Sequence, residues 1–251
     1  MKIIITYASA GTGHRRAAEA IYSYFKEHCR IVDLEIIDAL QKTNLIFRNL
    51  YSYGYLFLVN HAPWLWHFCF WLTSFKSLRP ITNISNSLLN RLNAKGFFDF
   101  LTKEKPDLII STHFFPAEVA TYLKRIRKLN PKLVTVITDF GIHPFWILNG
   151  TDMYIVASTF TKEQLTLKGV GENIIKDLGI PVDLKFSKQY EKNSLCRKFD
   201  LEPDKFTVLI STGSSAIGSI EDIVDSLYKK VQILVVCAQN KILYARLKKK
   251  N

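Results

Sequence analysis

Cysteine is scarce in this chain: four in 251 residues (Cys29, Cys69, Cys196, Cys237), widely scattered and without a CxxC pair. That argues against a disulfide framework and a zinc knuckle, predicts no metal site, and fits a reducing compartment. Acidic side chains are also in deficit, 22 Asp and Glu against 34 Lys and Arg, for a net charge of +12. An anionic partner follows: nucleic acid, a nucleotide or an acidic membrane surface. Nucleic acid is disfavoured, because the aromatics cluster apart from the basic helix at 117–128 instead of interleaving with it. Long uninterrupted apolar runs are missing too. Residues 56–75 have the ~20-residue length of a membrane span, but they contain Asn60, His61, Pro63 and His67, and Pro63 interrupts a continuous helix. The start, Met-Lys-Ile-Ile-Ile, has neither the length nor the flanks of a signal peptide. A cytoplasmic location is expected.

With 48% hydrophobic and 22% charged residues, the chain reads as globular, one large domain or two small ones. Its amino terminus carries the sharpest local pattern. An apolar strand, Ile3 to Tyr7, enters a glycine-bearing turn, and a helix then opens with His14, Arg15 and Arg16. Gly11 and Gly13 flank Thr12 and allow a ligand close to the backbone. Free N–H groups at the helix start favour an anion or an electron-rich oxygen. Cations there oppose the helix dipole, which makes sense if they meet a phosphate or an acidic partner. His14 adds a group that exchanges a proton near neutral pH.

Residues 45–75 break the composition with a belt of aromatics, in which Trp64, Trp66 and Trp71 fall close together. Trp and Tyr favour the headgroup level of a bilayer, and Arg48, Lys76 and Arg79 flank the belt for anionic headgroups. One reading is a monotopic membrane-docking segment; the other is a pair of aromatic helices packed into the core or a dimer interface.

Further along, short apolar runs alternate with helical stretches. Strands are expected at 31–37, 107–111, 133–138 and 153–157, and helices at 85–103, 117–128 and from about 161. That alternation predicts an α/β fold with a parallel sheet covered on both faces. A boundary falls near Gly179-Ile180-Pro181-Val182, giving a first domain at 1–182 and a polar linker at 183–204. A second strand, Gly/Ser turn and helix unit begins at 205, with Gly213, Ser214, Ser215 and Gly218 placed to approach a phosphate.

Residues 9–21, Ser-Ala-Gly-Thr-Gly-His-Arg-Arg-Ala-Ala-Glu-Ala-Ile, resemble the signature of monogalactosyldiacylglycerol synthases and processive diacylglycerol glucosyltransferases. Ser-Thr-His-Phe-Phe-Pro-Ala-Glu-Val at 111–119, Thr-Asp-Phe-Gly-Ile-His-Pro-Phe-Trp at 138–146 and Gly-Ile-Pro-Val at 179–182 follow in the family's order. The resemblance implies a GT-B fold of two Rossmann-like domains, the first binding a diacylglycerol acceptor and the second a UDP-hexose donor, with no metal or resident cofactor. Against that pattern, residues 205–251 fall well short of the ~100–150 residues of a typical domain. The second domain is therefore expected to be incomplete.

The resemblance further implies attack of the diacylglycerol hydroxyl on the anomeric carbon of the UDP-sugar, with inversion. His14 is then the general base, and Gly11, Thr12, Gly13 and Arg15 form the acceptor and phosphate loop. Asp139 and His143 share a strand-end loop where Asp139 could orient a histidine or raise its pKa, or simply form a local turn. His113, Glu118 and Trp146 could line the acceptor or serve structure alone. The functional expectation is a peripheral glycosyltransferase at the inner membrane face. Two alternatives stand beside it: a catalytically incomplete lipid-binding fragment of such an enzyme, and another nucleotide-sugar enzyme such as a lipid-linked peptidoglycan-precursor transferase.

Overall fold

The computed structural model describes residues 1–9, 11–29, 33–54, 57–58, 61–74, 89–90, 92–213 and 218–250. They divide into two compact units, Met1–Leu184 and Lys185–Asn251.

The first unit is built on six strands: β1 (Lys2–Tyr7), β2 (Asp33–Asp38), β3 (Leu108–Ser111), β4 (Lys132–Val136), β5 (Met153–Ile155) and β6 (Ile175–Lys176). Their order is β2-β1-β3-β4-β5-β6 and every pairing is parallel. β1 shows why the run Ile-Ile-Ile was needed. All three isoleucines are fully buried, Ile4 against Leu40, Phe97, Leu101 and Phe115 on one face, and Ile3 and Ile5 with Ala18, Ile110 and Val136 on the other. A strand covered on both faces cannot alternate polar and apolar side chains. Helix α1 (Gly13–His28) buries only alanines, Ala17, Ala18 and Ala20, which lets its axis lie close to the sheet.

The chain passes from β1 to β2 on one side and returns to β3 on the other. The sheet therefore reverses direction between β1 and β3, and ligands of open α/β sheets bind outside the strand ends at such a point. Thr6 pairs with Ser111 at the carboxyl ends of β1 and β3, so the loops that follow emerge side by side.

The aromatic belt splits between core and surface. It holds helix α2 (Leu45–Asn49), a π-helical turn (Leu50–Gly54) and helix α3 (Pro63–Ser74), which begins at the proline expected to interrupt a continuous helix through 56–75. Phe47 and Tyr51 pack on the core beside Phe115. Trp64 and Trp71 instead are 71% and 57% exposed, with Phe68 exposed between them. The Trp66 side chain and residues 76 and 79 lie outside the described set. Helix α4 (Lys95–Glu104) closes on the turn Ala39–Lys42 through Gly96, where a Cβ would stand 2.6 Å from the Lys42 carbonyl oxygen.

Helix α5 runs Phe114–Arg125, three residues ahead of the expected 117–128. His113 causes the difference: its imidazole Nδ1 accepts the Phe115 amide N–H at 3.0 Å, a helix cap made by a residue type not read as one. Helix α6 (Thr159–Leu167) completes this unit, capped by Ser158.

In the second unit, helix α7 (Lys192–Phe199) lies within 183–204, the stretch expected as a linker. Strands β7 (Thr207–Ser211) and β8 (Gln232–Val236) form a parallel pair, with α8 (Ile220–Leu227) and α9 (Lys241–Lys248) on them. The core here is small: Ile210, Ile220, Val224 and Leu243.

Candidate active site

The switch point gathers three loops. From β1 comes the turn to α1, in which Gly11 holds φ +109°, a conformation that a side chain would strain. The turn is tied down by Asp38, whose Oδ1 accepts the Ser9 and Leu40 amides at 3.2 and 3.1 Å. From β3 come Thr112 and His113, and from β4 come Thr138 and Asp139.

His14 is half-buried where these loops meet. Its Nδ1 lies 2.8 Å from the Thr112 carbonyl oxygen and 2.8 Å from Thr138 Oγ1. A carbonyl only accepts, so Nδ1 carries the proton, and in the neutral ring Nε2 is left as the basic nitrogen. Thr112 holds the same residue a second time, its hydroxyl donating to the His14 carbonyl at 2.8 Å. The His113 ring, 3% exposed, stands edge-on to His14 with centroids 4.6 Å apart. Trp146 closes the group, its ring 6.1 Å from His14 and 6.2 Å from His113. The indole N–H donates to Asp139 Oδ2 at 2.8 Å.

Burial lowers the proton affinity of His14, opposed by the Asp139 charge and by the hydrogen bond to the Thr112 carbonyl; the net shift is downward. His113 lies well below the ordinary histidine range, because of burial first and then proximity to His14. Both rings are thus neutral at pH 7. Asp139, expected to act on a histidine, bears electrically on His14.

The other expected residues divide. His143 caps the short turn Pro144–Trp146, Nδ1 accepting the Phe145 amide at 3.3 Å, while Nε2 lies 3.1 Å from Thr73 Oγ1 on α3. It fastens the Trp146 loop to the aromatic helix. Glu118 accepts the Asn90 side-chain amide and faces Tyr51, whose hydroxyl is pushed upward by burial and by the Glu118 charge. Tyr51 links this pair to the histidines, its ring 6.0 Å from that of His113. Arg15 meets Glu19 at 2.7 Å and Arg16 meets it at 2.9 Å. Gly213 and Gly218 hold φ +80° and +112°, whereas Ser214 and Ser215 lie outside the described residues. The first turn of α8 carries Glu221 and Asp222, so its dipole already meets negative charge. Thr112 and Thr138 were not read from the sequence as site residues. The signal was their position: each stands one residue before a chosen residue, His113 or Asp139, at a strand end.

The histidine pair predicts a pH dependence of stability. Both folded affinities lie below the ordinary value of 6.5, so the unfolded chain binds more protons once the pH falls to that value. Stability is then fully present above pH 6.5 and declines as the pH drops below it. Urea midpoints taken between pH 7.5 and 5 should fall, and His113→Asn, which keeps a cap for Phe115, should flatten the decline. Equal slopes in the two proteins would dismiss this origin.

Among solved structures, the chain is similar to Anabaena HepE in complex with UDP-glucose, with a TM-score of 0.52 and 13% identity over 100% of this chain and 65% of that one. It is similar also to Staphylococcus aureus MnaA with UDP, at 0.51 and 13% over 99% and 65%. At such identity the likeness is one of fold, and it defines an α/β protein of the GT-B type. The family model for monogalactosyldiacylglycerol (MGDG) synthase matches residues 14–182, and the chain belongs to that family. The processive diacylglycerol beta-glucosyltransferase of Bacillus licheniformis is 29% identical, over 98% of this chain and 63% of its own length. That of Staphylococcus aureus strain MRSA252 is 30% identical, over 96% and 61%. The chain thus spans less than two thirds of these relatives.

Proposed function

We propose that this chain acts in glycolipid synthesis, transferring a hexose from a UDP-sugar to diacylglycerol with His14 as general base. The observation that carries this reading is the protonation pattern of His14. Its Nδ1 is committed to the Thr112 carbonyl and its proton affinity is lowered, so Nε2 is basic and unprotonated at neutral pH. In the transfer, the acceptor hydroxyl oxygen forms a bond to the anomeric carbon from the face opposite the diphosphate. The bond from that carbon to the phosphate oxygen breaks, UDP leaves with the electron pair, and the hydroxyl proton passes to His14 Nε2. Gly213 and Gly218 are the donor-side candidates. Membership in the family and the names of the curated relatives support diacylglycerol as the acceptor and a hexosyl group as what is transferred. The test is hexose transfer by the purified chain from radiolabelled UDP-glucose and UDP-galactose to diacylglycerol in liposomes. Transfer from neither donor would overturn the assignment.

The acceptor is a membrane lipid, and the exposed indoles of Trp64 and Trp71 support peripheral docking at the anionic inner face. Among the described residues no helix is long and apolar enough to cross a membrane. Replacing both tryptophans by Ala should lower co-sedimentation with anionic liposomes roughly tenfold or more, since each ring contributes burial on the order of 1 kcal/mol or above. Unchanged sedimentation would remove α3 from the docking surface.

A further inference from the structure

We propose that Thr112 and Thr138 act as positioning residues that clamp His14 in its Nδ1–H tautomer; this rests on the reading of His14 as the base. Three contacts from two strands carry the idea. Thr112 grips both ends of the residue, its carbonyl oxygen 2.8 Å from Nδ1 and its hydroxyl 2.8 Å from the His14 carbonyl. Thr138 Oγ1 approaches the same Nδ1 at 2.8 Å from the end of β4. With the carbonyl accepting, Thr138 Oγ1 must accept as well, so a single N–H is shared between two oxygens in a three-centre bond.

Two acceptors on one nitrogen do more than a single bond. Together they favour the Nδ1–H form: the Thr112 carbonyl can only accept and would face a lone pair in the other tautomer, and Thr138 Oγ1 adds a second acceptor for the proton. They also fix the ring plane, because the acceptors descend from adjacent strands, β3 and β4, held in parallel register. When Nε2 takes a proton, the same two oxygens stabilise the positive ring from its far side. The charged and titratable neighbours of His14 are Asp139, which favours its cation, and His113, whose own affinity is depressed by it. Thr112 cannot be withdrawn easily, since its amide and hydroxyl also reach the Thr6 carbonyl, at 3.0 and 3.4 Å. The Thr112 half of the clamp is therefore fastened to β1.

Long-range proton–nitrogen NMR of the full chain labelled with ¹⁵N-histidine reads the tautomer directly, with His14→Asn to assign the signal. The wild-type ring should carry its proton on Nδ1. Thr138→Val should leave the proton on Nδ1, where the Thr112 carbonyl holds it, but lower the His14 titration midpoint, while Thr138→Ser, which keeps the hydroxyl, should restore the midpoint. Hexose transfer should fall roughly 10–100-fold in kcat for Thr138→Val, with KM little changed, the scale of a misplaced catalytic group. A wild-type His14 protonated on Nε2, or a Thr138→Val protein with an unaltered titration midpoint, would overturn the clamp. Undiminished transfer by His14→Asn would instead overturn the base assignment and leave the clamp to the NMR result. Should Thr138→Val fail to fold, the wild-type tautomer and the Thr138→Ser protein still decide.

Discussion

With His14 as the proposed general base, His14→Asn should lower the proposed hexose transfer about 10²–10⁴-fold, the usual contribution of such a positioned group. Asparagine suits the test because its amide N–H can take over the bond that Nδ1 gives the Thr112 carbonyl. The variant removes the basic Nε2 and little else. The loss should appear in kcat, since the proton is transferred in the reacting complex and the imidazole contributes little to holding either substrate in the ground state. Raising the pH should not restore the rate, because the missing group does not titrate back. A variant transferring within threefold of wild type would show that the acceptor hydroxyl is deprotonated by another group, and Asp139 would be next to test. Stability should change little, as His14 is only half-buried and stands in the first turn of α1, where Asn is tolerated.

Much of this site was legible in the chain, and the reason is topological. His14, His113 and Asp139 each follow an apolar strand, and a parallel sheet delivers the ends of consecutive neighbours to one edge. Ile-Ile-Ile at 3–5 and Leu-Ile-Ile at 108–110 announce strands buried on both faces, and β1 and β3 bring their loops together in register. Helix starts were less readable. The expected start of α5 was displaced because His113 acts as its cap, a role decided by a ring nitrogen within reach of the Phe115 amide. The partition of the aromatic belt was also beyond sequence reasoning. Phe47, Tyr51, Trp64 and Trp71 belong to one aromatic-rich stretch, yet the first two face the core and the last two face outward. Which rings turn inward depends on the Phe115 surface some sixty residues further on. The roles of Thr112 and Thr138 were hidden for a similar reason: an unremarkable residue type becomes important through a carbonyl and a hydroxyl aimed at one nitrogen.

Trp146→Ala should destabilise the first unit by about 3–5 kcal/mol, the range for removing a buried large aromatic. The ring is 1% exposed and packs with Ile137, Ile142, Tyr154 and Leu165. It also meets Phe114 edge to face, with centroids 5.7 Å apart at 84°. Domains of this size are stable by only about 5–15 kcal/mol, so such a loss brings the fold near its threshold. Trp146→Phe is the milder variant. It keeps an aromatic ring in the core but removes the N–H that Asp139 Oδ2 accepts together with part of the indole's volume, and it should cost less than the alanine variant, on the order of 1–2 kcal/mol. The chemical consequence differs from the structural one. Trp146 helps to keep water from the histidine rings, and that dryness is what depresses the proton affinity of His14. In Trp146→Ala the opened space admits solvent, so the His14 midpoint should move up towards the ordinary value and a smaller share of rings would be basic at a given pH. Urea unfolding followed by far-ultraviolet circular dichroism gives the stability, and histidine NMR titration gives the midpoint. A loss under about 1 kcal/mol for the alanine variant would mean that Trp146 is not part of the core that holds the site closed.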